Sequence, residues 1–296
     1  MNPIKKILLA WKTEFDVRQK EKRFLRVLSN APDLIGRPPV IEGDEVNFSH
    51  SGHTGDVIYS MPAMYALAKG RKINLYLRLH QPATAFTKGM SHPNGKIMLN
   101  EKSVEMFAPL LLTQKDIKVC KALENETVHY DLSAFWSFPF DCRMGTITRY
   151  FSLTYGIGID LWNPWLHVQP NPSYGDAIVV ARSSRYRSPL VSYGFLSKYP
   201  RVVFVGLPDE YEDMKPHIKG LEYKPVANFR ELAEIIAGSK LFIGNQSFPF
   251  ALAEALKVRR VLEVYYQSPN VMAEGPGGHM FCYQPQFEKI VSDLID

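Results

Sequence analysis

SHSGHTGDVIYSMPAMYAL, residues 49–67, is the stretch on which the fold turns. Small and polar residues lead into a sharp turn at Gly52 and Gly55, Asp56 follows at once, and Val57, Met61, Met64 and Leu67 then recur at intervals of three and four. That spacing predicts a helix with one apolar face and the acid in its first turn. Just upstream, Glu45-Val46-Asn47-Phe48 is suited to a short strand, so the segment reads as strand, glycine turn and helix of an α/β unit. Open parallel sheets hold their ligands at such corners. A plain helix cap is the competing reading of Asp56, because Asp is common at that position.

A second corner of the same kind lies far along the chain. Lys240 to Ile243 (KLFI) reads as a buried strand, Gly244-Asn245-Gln246-Ser247 as its turn, and Pro249 to Leu256 as the helix that follows. Free backbone N–H groups and a positive helix end at Ser247 and Phe248 suit a diphosphate. Around this corner, Ala177 to Ala181 (AIVVA), Arg201 to Val205 (RVVFV) and Arg260 to Val264 are continuous apolar runs typical of parallel strands buried on both faces. The first of them opens onto Arg182-Ser183-Ser184-Arg185-Tyr186-Arg187, whose arginines suit phosphate through charge and bidentate hydrogen bonds. A solvated basic loop is the alternative. Asn228 to Ala237 predicts a capped helix, and another closes the chain near Phe287 to Leu294.

The remaining chain supplies the frame. Lys72 to Leu79 alternates as a second strand beside the first corner, and His129 to Leu132 suits a strand ending near a cleft. Ala83 to Leu99 reads as loops, and Val104 to Leu112 and Asp116 to Leu123 carry mixed patterns. Aromatic residues crowd Ser133 to Leu166, among them Phe135, Trp136, Phe138, Phe140, Phe151 and Trp165, and are expected to fill a core or a domain seam. Prolines between Asn163 and Gly175 mark a linker, dividing the chain into an N-terminal unit, residues 1–166, and a C-terminal unit, residues 176–296.

Composition narrows the function classes. Of 35 Lys and Arg against 30 Asp and Glu, residues 1–30 hold eight bases and three acids, so the net charge of +5 sits in the N-terminal arm and the body is neutral. A neutral body disfavours a nucleic-acid partner. The arm, helical over residues 4–28, is expected to pack on its domain with its charges in water, with peripheral contact to an anionic membrane through residues 1–28 as the alternative. No apolar run approaches the roughly 20 residues of a membrane span. Cys120, Cys142 and Cys282 are too widely spaced for a metal set, so no metal or cofactor is expected and a reducing, cytoplasmic setting is.

The two corners together resemble a known family. Gly55-Asp56-Val57-Ile58 with Pro62-Ala63, and Phe242-Ile243-Gly244-Asn245-Gln246-Ser247-Phe248-Pro249 with Leu252-Ala253-Glu254-Ala255-Leu256, are similar to the two signature elements of the heptosyltransferase family of glycosyltransferases. The resemblance implies a GT-B fold: two Rossmann-like domains facing across a cleft, with a nucleoside-diphosphate sugar on the C-terminal one and a glycan or other hydroxyl acceptor on the N-terminal one. It implies that Asp56 is the general base, that Gly52, His53, Thr54 and Gly55 form the acceptor-side loop, and that transfer inverts the anomeric centre without a metal. Donor and phosphate contacts then fall to Arg182, Ser183, Arg185, Arg187, Gly244, Asn245, Gln246, Ser247 and Phe248, with Glu263 as an added nucleoside or sugar contact. The chain departs from the family at Gln246, where the family has Asp, and at Phe248 and Ala251, where it has Gly and His. A GT-B epimerase acting on the donor alone, a binding module without turnover and a DNA-modifying transferase complete the set of readings.

Overall fold

A computed structural model describes residues 3–30, 39–83, 93–138 and 142–295. The expectations for Pro32 and Pro38 as helix terminators, for the middle of the 83–99 loop, for Phe140 and for the Leu28 side chain fall outside what is described.

After a long helix α1 (Pro3–Asn30), the chain alternates strands and helices: β1 (Glu45–His50), α2 (Thr54–Ala68), β2 (Lys72–Leu77), α3 (Glu101–Leu111), β3 (Ile117–Ala122), β4 (Tyr130–Asp131) and α4 (Ile147–Tyr155). The second half repeats the plan with β5 (Ile178–Ala181), β6 (Val202–Phe204), α5 (Pro208–Met214), β7 (Glu222–Tyr223), α6 (Phe229–Gly238), β8 (Leu241–Asn245), α7 (Phe248–Leu256), β9 (Arg260–Glu263), β10 (Gly278–Phe281) and α8 (Gln284–Ile295). Two parallel sheets result, in the orders β3-β2-β1-β4 and β10-β9-β8-β5-β6-β7. The chain reverses direction across each sheet beside its first strand, at β1 in one and between β5 and β8 in the other. Those switch points leave a crevice at the carboxyl ends of the strands. Asp56 follows β1, while Arg182 to Ser188 follows β5 and Gln246 to Phe248 follows β8.

The inner strands of the second sheet, β5, β6, β8 and β9, are buried on both faces, as their apolar runs predict. Ile178 and Val180 point into one core and Val179 and Ala181 into the other, and Leu241 and Ile243 alternate with Phe242 in the same way. Helix α2 differs from the expectation of a single apolar face. Its residues from Val57 to Met64 are all buried, because it packs against the first sheet, α4 and α7 at once.

Within the segment read as a linker, Trp165, Leu166 and Tyr174 are buried while most of the other residues are exposed. Trp165 and Leu166 both donate their backbone N–H to the Ala255 carbonyl, Trp165 Nε1 donates to the Ile58 carbonyl at 3.1 Å, and Lys257 lies 4.5 Å above the Trp165 ring. Phe107, Phe229 and Phe248 meet as an aromatic cluster tying α3 to α6 and α7. The aromatic-rich segment accordingly contributes Phe135, Phe138, Phe151 and Trp165 to buried positions, whereas Trp162 is exposed. Helix α1 also departs from expectation: it extends from residue 3 to residue 30 but every side chain described on it is exposed, so it does not pack on the domain.

Candidate functional site

Strand β1 ends at His50, whose buried ring accepts the Gly52 N–H on Nδ1 at 2.9 Å and so shapes the turn. The chain then folds so tightly that a Cβ at Gly52 would lie 2.7 Å from both His50 Cε1 and Asp56 Oδ2; only glycine fits. By contrast, a methyl at Gly55 would meet nothing nearer than Tyr59 Cε2 at 4.0 Å, so its backbone is open on that side. Thr54 and Gly55 form the first residues of α2, half-buried. Asp56 does cap its helix, accepting the His53 N–H on Oδ2 at 2.9 Å. Its Oδ1 has no hydrogen-bond partner among the described residues. The structural and chemical readings of Asp56 are therefore compatible, because the cap uses one oxygen and leaves the other.

Electrostatics at this corner are unusual. Burial pushes the Asp56 carboxyl up to about 7, with the His53 N–H and the Arg185 charge pulling the other way. Burial pushes His53 down to about 4, helped by Arg185, and His50 down to about 3, so both rings are neutral at pH 7. Arg185 belongs to the loop after β5, across the crevice. Its charge acts on both Asp56 and His53, so the two corners share one electrostatic site. Its guanidinium is half-buried and makes no ion pair or hydrogen bond among the described residues, and burial lowers its pKa, with Tyr186, Glu210 and Asp56 opposing. An arginine held out of water without an ion-pair partner is a preformed seat for an anion.

The remaining residues of the expected donor set divide sharply from Arg185. Arg182 is committed to Glu263 in a buried bidentate pair, Nε to Oε2 at 2.7 Å and Nη2 to Oε1 at 2.8 Å. The Glu263 carboxylate also accepts the Ser188 N–H and the Tyr193 hydroxyl. Each of the two residues expected to meet the donor thus satisfies the other inside the domain. Arg187 is likewise structural, donating to the Ser183 and Arg182 carbonyls and pairing with Asp213. Ser183 donates its N–H to Asn245 Oδ1, and Asn245 Nδ2 donates back to the carbonyls of Ser183 and Arg185. Asn245 thus positions the Arg185 loop.

Gln246 is fully used inside the domain. Its Nε2 donates to the Ser268 carbonyl and Asn270 Oδ1, each at 2.8 Å, and its Oε1 accepts the Tyr265 N–H, so it pins the 265–270 loop and offers no group to a sugar. Phe248 turns into the aromatic seam. Gly244 lies inside β8, where a Cβ would meet the Phe242 ring at 2.9 Å and the Ala181 carbonyl at 3.1 Å. The helix end is a poorer anion seat than its sequence suggests: Pro249 has no N–H, and Phe250 and Ala251 both donate to the Ser247 carbonyl while Ser247 donates to that of Asn245.

Two residues enter the crevice that the residue pattern did not single out. Tyr186 takes a left-handed φ of 54° beside Arg185 and meets Tyr265 edge to face, and Glu210, in the first turn of α5, is half-buried with its pKa raised by desolvation and Arg185 opposing. Glu210 was legible as an acid opening a helix after the RVVFV strand; nothing in sequence marks the backbone of Tyr186. Among the described residues, no group of three or more His, Cys, Asp or Glu is arranged to hold a metal ion.

No protein-family profile matches the sequence, and no curated protein gives a significant match. Solved structures do match the fold. The E. coli heptosyltransferase WaaC with ADP superposes with a TM-score of 0.56 at 11% identity, covering 84% of this chain and 99% of that one. The same protein with ADP-2-deoxy-2-fluoro heptose gives 0.55 at 12%, with the same coverage. The arrangement of two facing parallel sheets is therefore the GT-B fold that the resemblance implied.

Proposed function

We propose that this chain is an inverting glycosyltransferase that moves a sugar from a nucleoside-diphosphate donor to an acceptor hydroxyl, with Asp56 as general base. One observation carries the reading: Asp56 keeps a free oxygen on one side of the crevice while Arg185 faces it from the other without a partner. In the reaction, the acceptor oxygen attacks the anomeric carbon as its proton passes to Asp56 Oδ1. The bond between that carbon and the diphosphate breaks, and the charge growing on the leaving group is met by Arg185. A base near 7 suits this role, since it is substantially ionised at neutral pH yet strong enough to accept the proton. The N-terminal unit, residues 1–166, then carries the acceptor at Gly52 to Gly55, and the C-terminal unit, residues 176–296, carries the nucleotide. Because WaaC was solved with ADP and with an ADP-heptose analogue, ADP-linked sugars are the first donors to test. Gln246, tied to its own loop, leaves the identity of the sugar to other contacts.

Thermal shift with ADP, UDP and GDP, followed by NMR of any transferred sugar, tests the reading. Stabilisation by one nucleotide and an inverted anomer are expected; a retained anomer contradicts a single-base displacement. The consumed Gln246 favours a second reading, a nucleotide-sugar binding module without turnover, which predicts the same stabilisation with no product from any donor.

A further inference from the structure

We infer that α1 is an interfacial anchor that lies on an anionic lipid bilayer. It is a 28-residue helix, about 42 Å long at a helical rise, and none of its described side chains is buried against the rest of the chain. Helices in water draw most of their stability from covering an amphipathic face. Ile4, Ile7, Leu8, Trp11 and Phe15 advance in steps of three and four and share one face, with exposures between 57% and 73%. The same steps carry that face on to Arg18, Lys22 and Arg26. It is apolar along its first half and mainly basic along its second, where Leu25 adds one more apolar side chain. Glu14, the acid nearest it, is paired with Arg18.

Charge selects the occupant. The excess of +5 in residues 1–30 equals that of the whole chain, so a second copy of α1 would bring a like charge against it, whereas anionic headgroups bring the opposite one. The apolar half enters the boundary between headgroups and acyl chains, with Trp11 at its centre, and the basic half meets lipid phosphates. Among the described residues no helix is long and apolar enough to cross the membrane, so the helix lies in the interface plane. The proposal does not rest on the transferase reading.

Sedimentation of the full chain with vesicles tests it, using an equal mixture of phosphatidylglycerol and phosphatidylcholine against phosphatidylcholine alone. The protein is expected to pellet with the anionic vesicles only. Trp11→Gln with Phe15→Gln should reduce partition by roughly ten-fold or more, since losing two buried aromatics exceeds the 1.4 kcal/mol of a decade. Arg18→Gln with Lys22→Gln should weaken binding and flatten its salt dependence. All variants should keep the parent's circular dichroism and Tm. Absence of binding to anionic vesicles overturns the proposal, as does binding that both double variants leave unchanged. A lipid-free dimer that Trp11→Gln with Phe15→Gln dissociates overturns it too, by making a second copy the partner.

Discussion

Desolvation of Asp56 outweighs the two groups that favour its charge, and this balance has consequences in both rate and stability. As the proposed base, Asp56 must be ionised to act, so kcat/KM should rise with pH to a plateau with an acid limb near 7. Arg185→Gln removes a positive charge that lowers the Asp56 pKa, so it should move that limb to higher pH and weaken nucleotide binding. The stability sign runs opposite to a salt-bridged acid. The folded pKa lies above the unfolded value near 3.8, so the unfolded state holds fewer protons between the two, and the contribution of Asp56 is full below about 4 and lost as pH rises through about 7. Asp56→Asn should therefore raise Tm relative to the parent at pH 8 by several degrees, and the gap should narrow by pH 5 and close near pH 4; a gap that does not change with pH argues against a buried, titrating Asp56. Arg182 and Glu263 make a different case. Each is buried and spent on the other, so Glu263→Gln should cost about 3–5 kcal/mol by urea unfolding, as broken buried pairs do, with the preference among nucleotides unchanged. A preserved stability with altered nucleotide choice would return Glu263 to the binding site.

At the level of elements, the loops that build the crevice are held by amides rather than by the helix end. Asn245 fixes the 183–185 turn and Gln246 fixes the 265–270 turn, one residue after the other at the end of β8. Gln246→Ala should cost about 1–3 kcal/mol by leaving the Tyr265 N–H and the Ser268 carbonyl without a partner. It should also raise hydrogen exchange across 265–270 while sparing 183–185. Such roles are invisible in sequence, because an Asn-Gln pair after a strand reads equally as ligand contacts and as loop ties. The strands with long apolar runs, β5, β6, β8 and β9, were legible for a simple reason: burial on both faces demands continuous apolar residues. Strand β3, of mixed pattern, and the short β7 and β10 left little trace, since two to six partly exposed residues define no period.

For the whole molecule, the seam decides whether two facing sheets make one site. Trp165 and the Phe107, Phe229 and Phe248 cluster bind the halves together, and Asp56 meets the field of Arg185 only while they do. Phe107→Ala should destabilise by about 3–5 kcal/mol, the range for a buried phenylalanine. The two corners and the order of parts were readable because each is a local strand-turn-helix; which arginine crosses the crevice was not, because partners such as Glu263 and Asp213 lie 81 and 26 residues away in sequence. The most direct test compares Asp56→Asn with the parent for both donor binding and transfer. The account predicts nucleotide affinity within a few-fold of the parent and transfer lowered by roughly 10²–10⁴-fold, the usual contribution of a general base. Equal transfer rates would remove Asp56 from the chemistry and contradict the account.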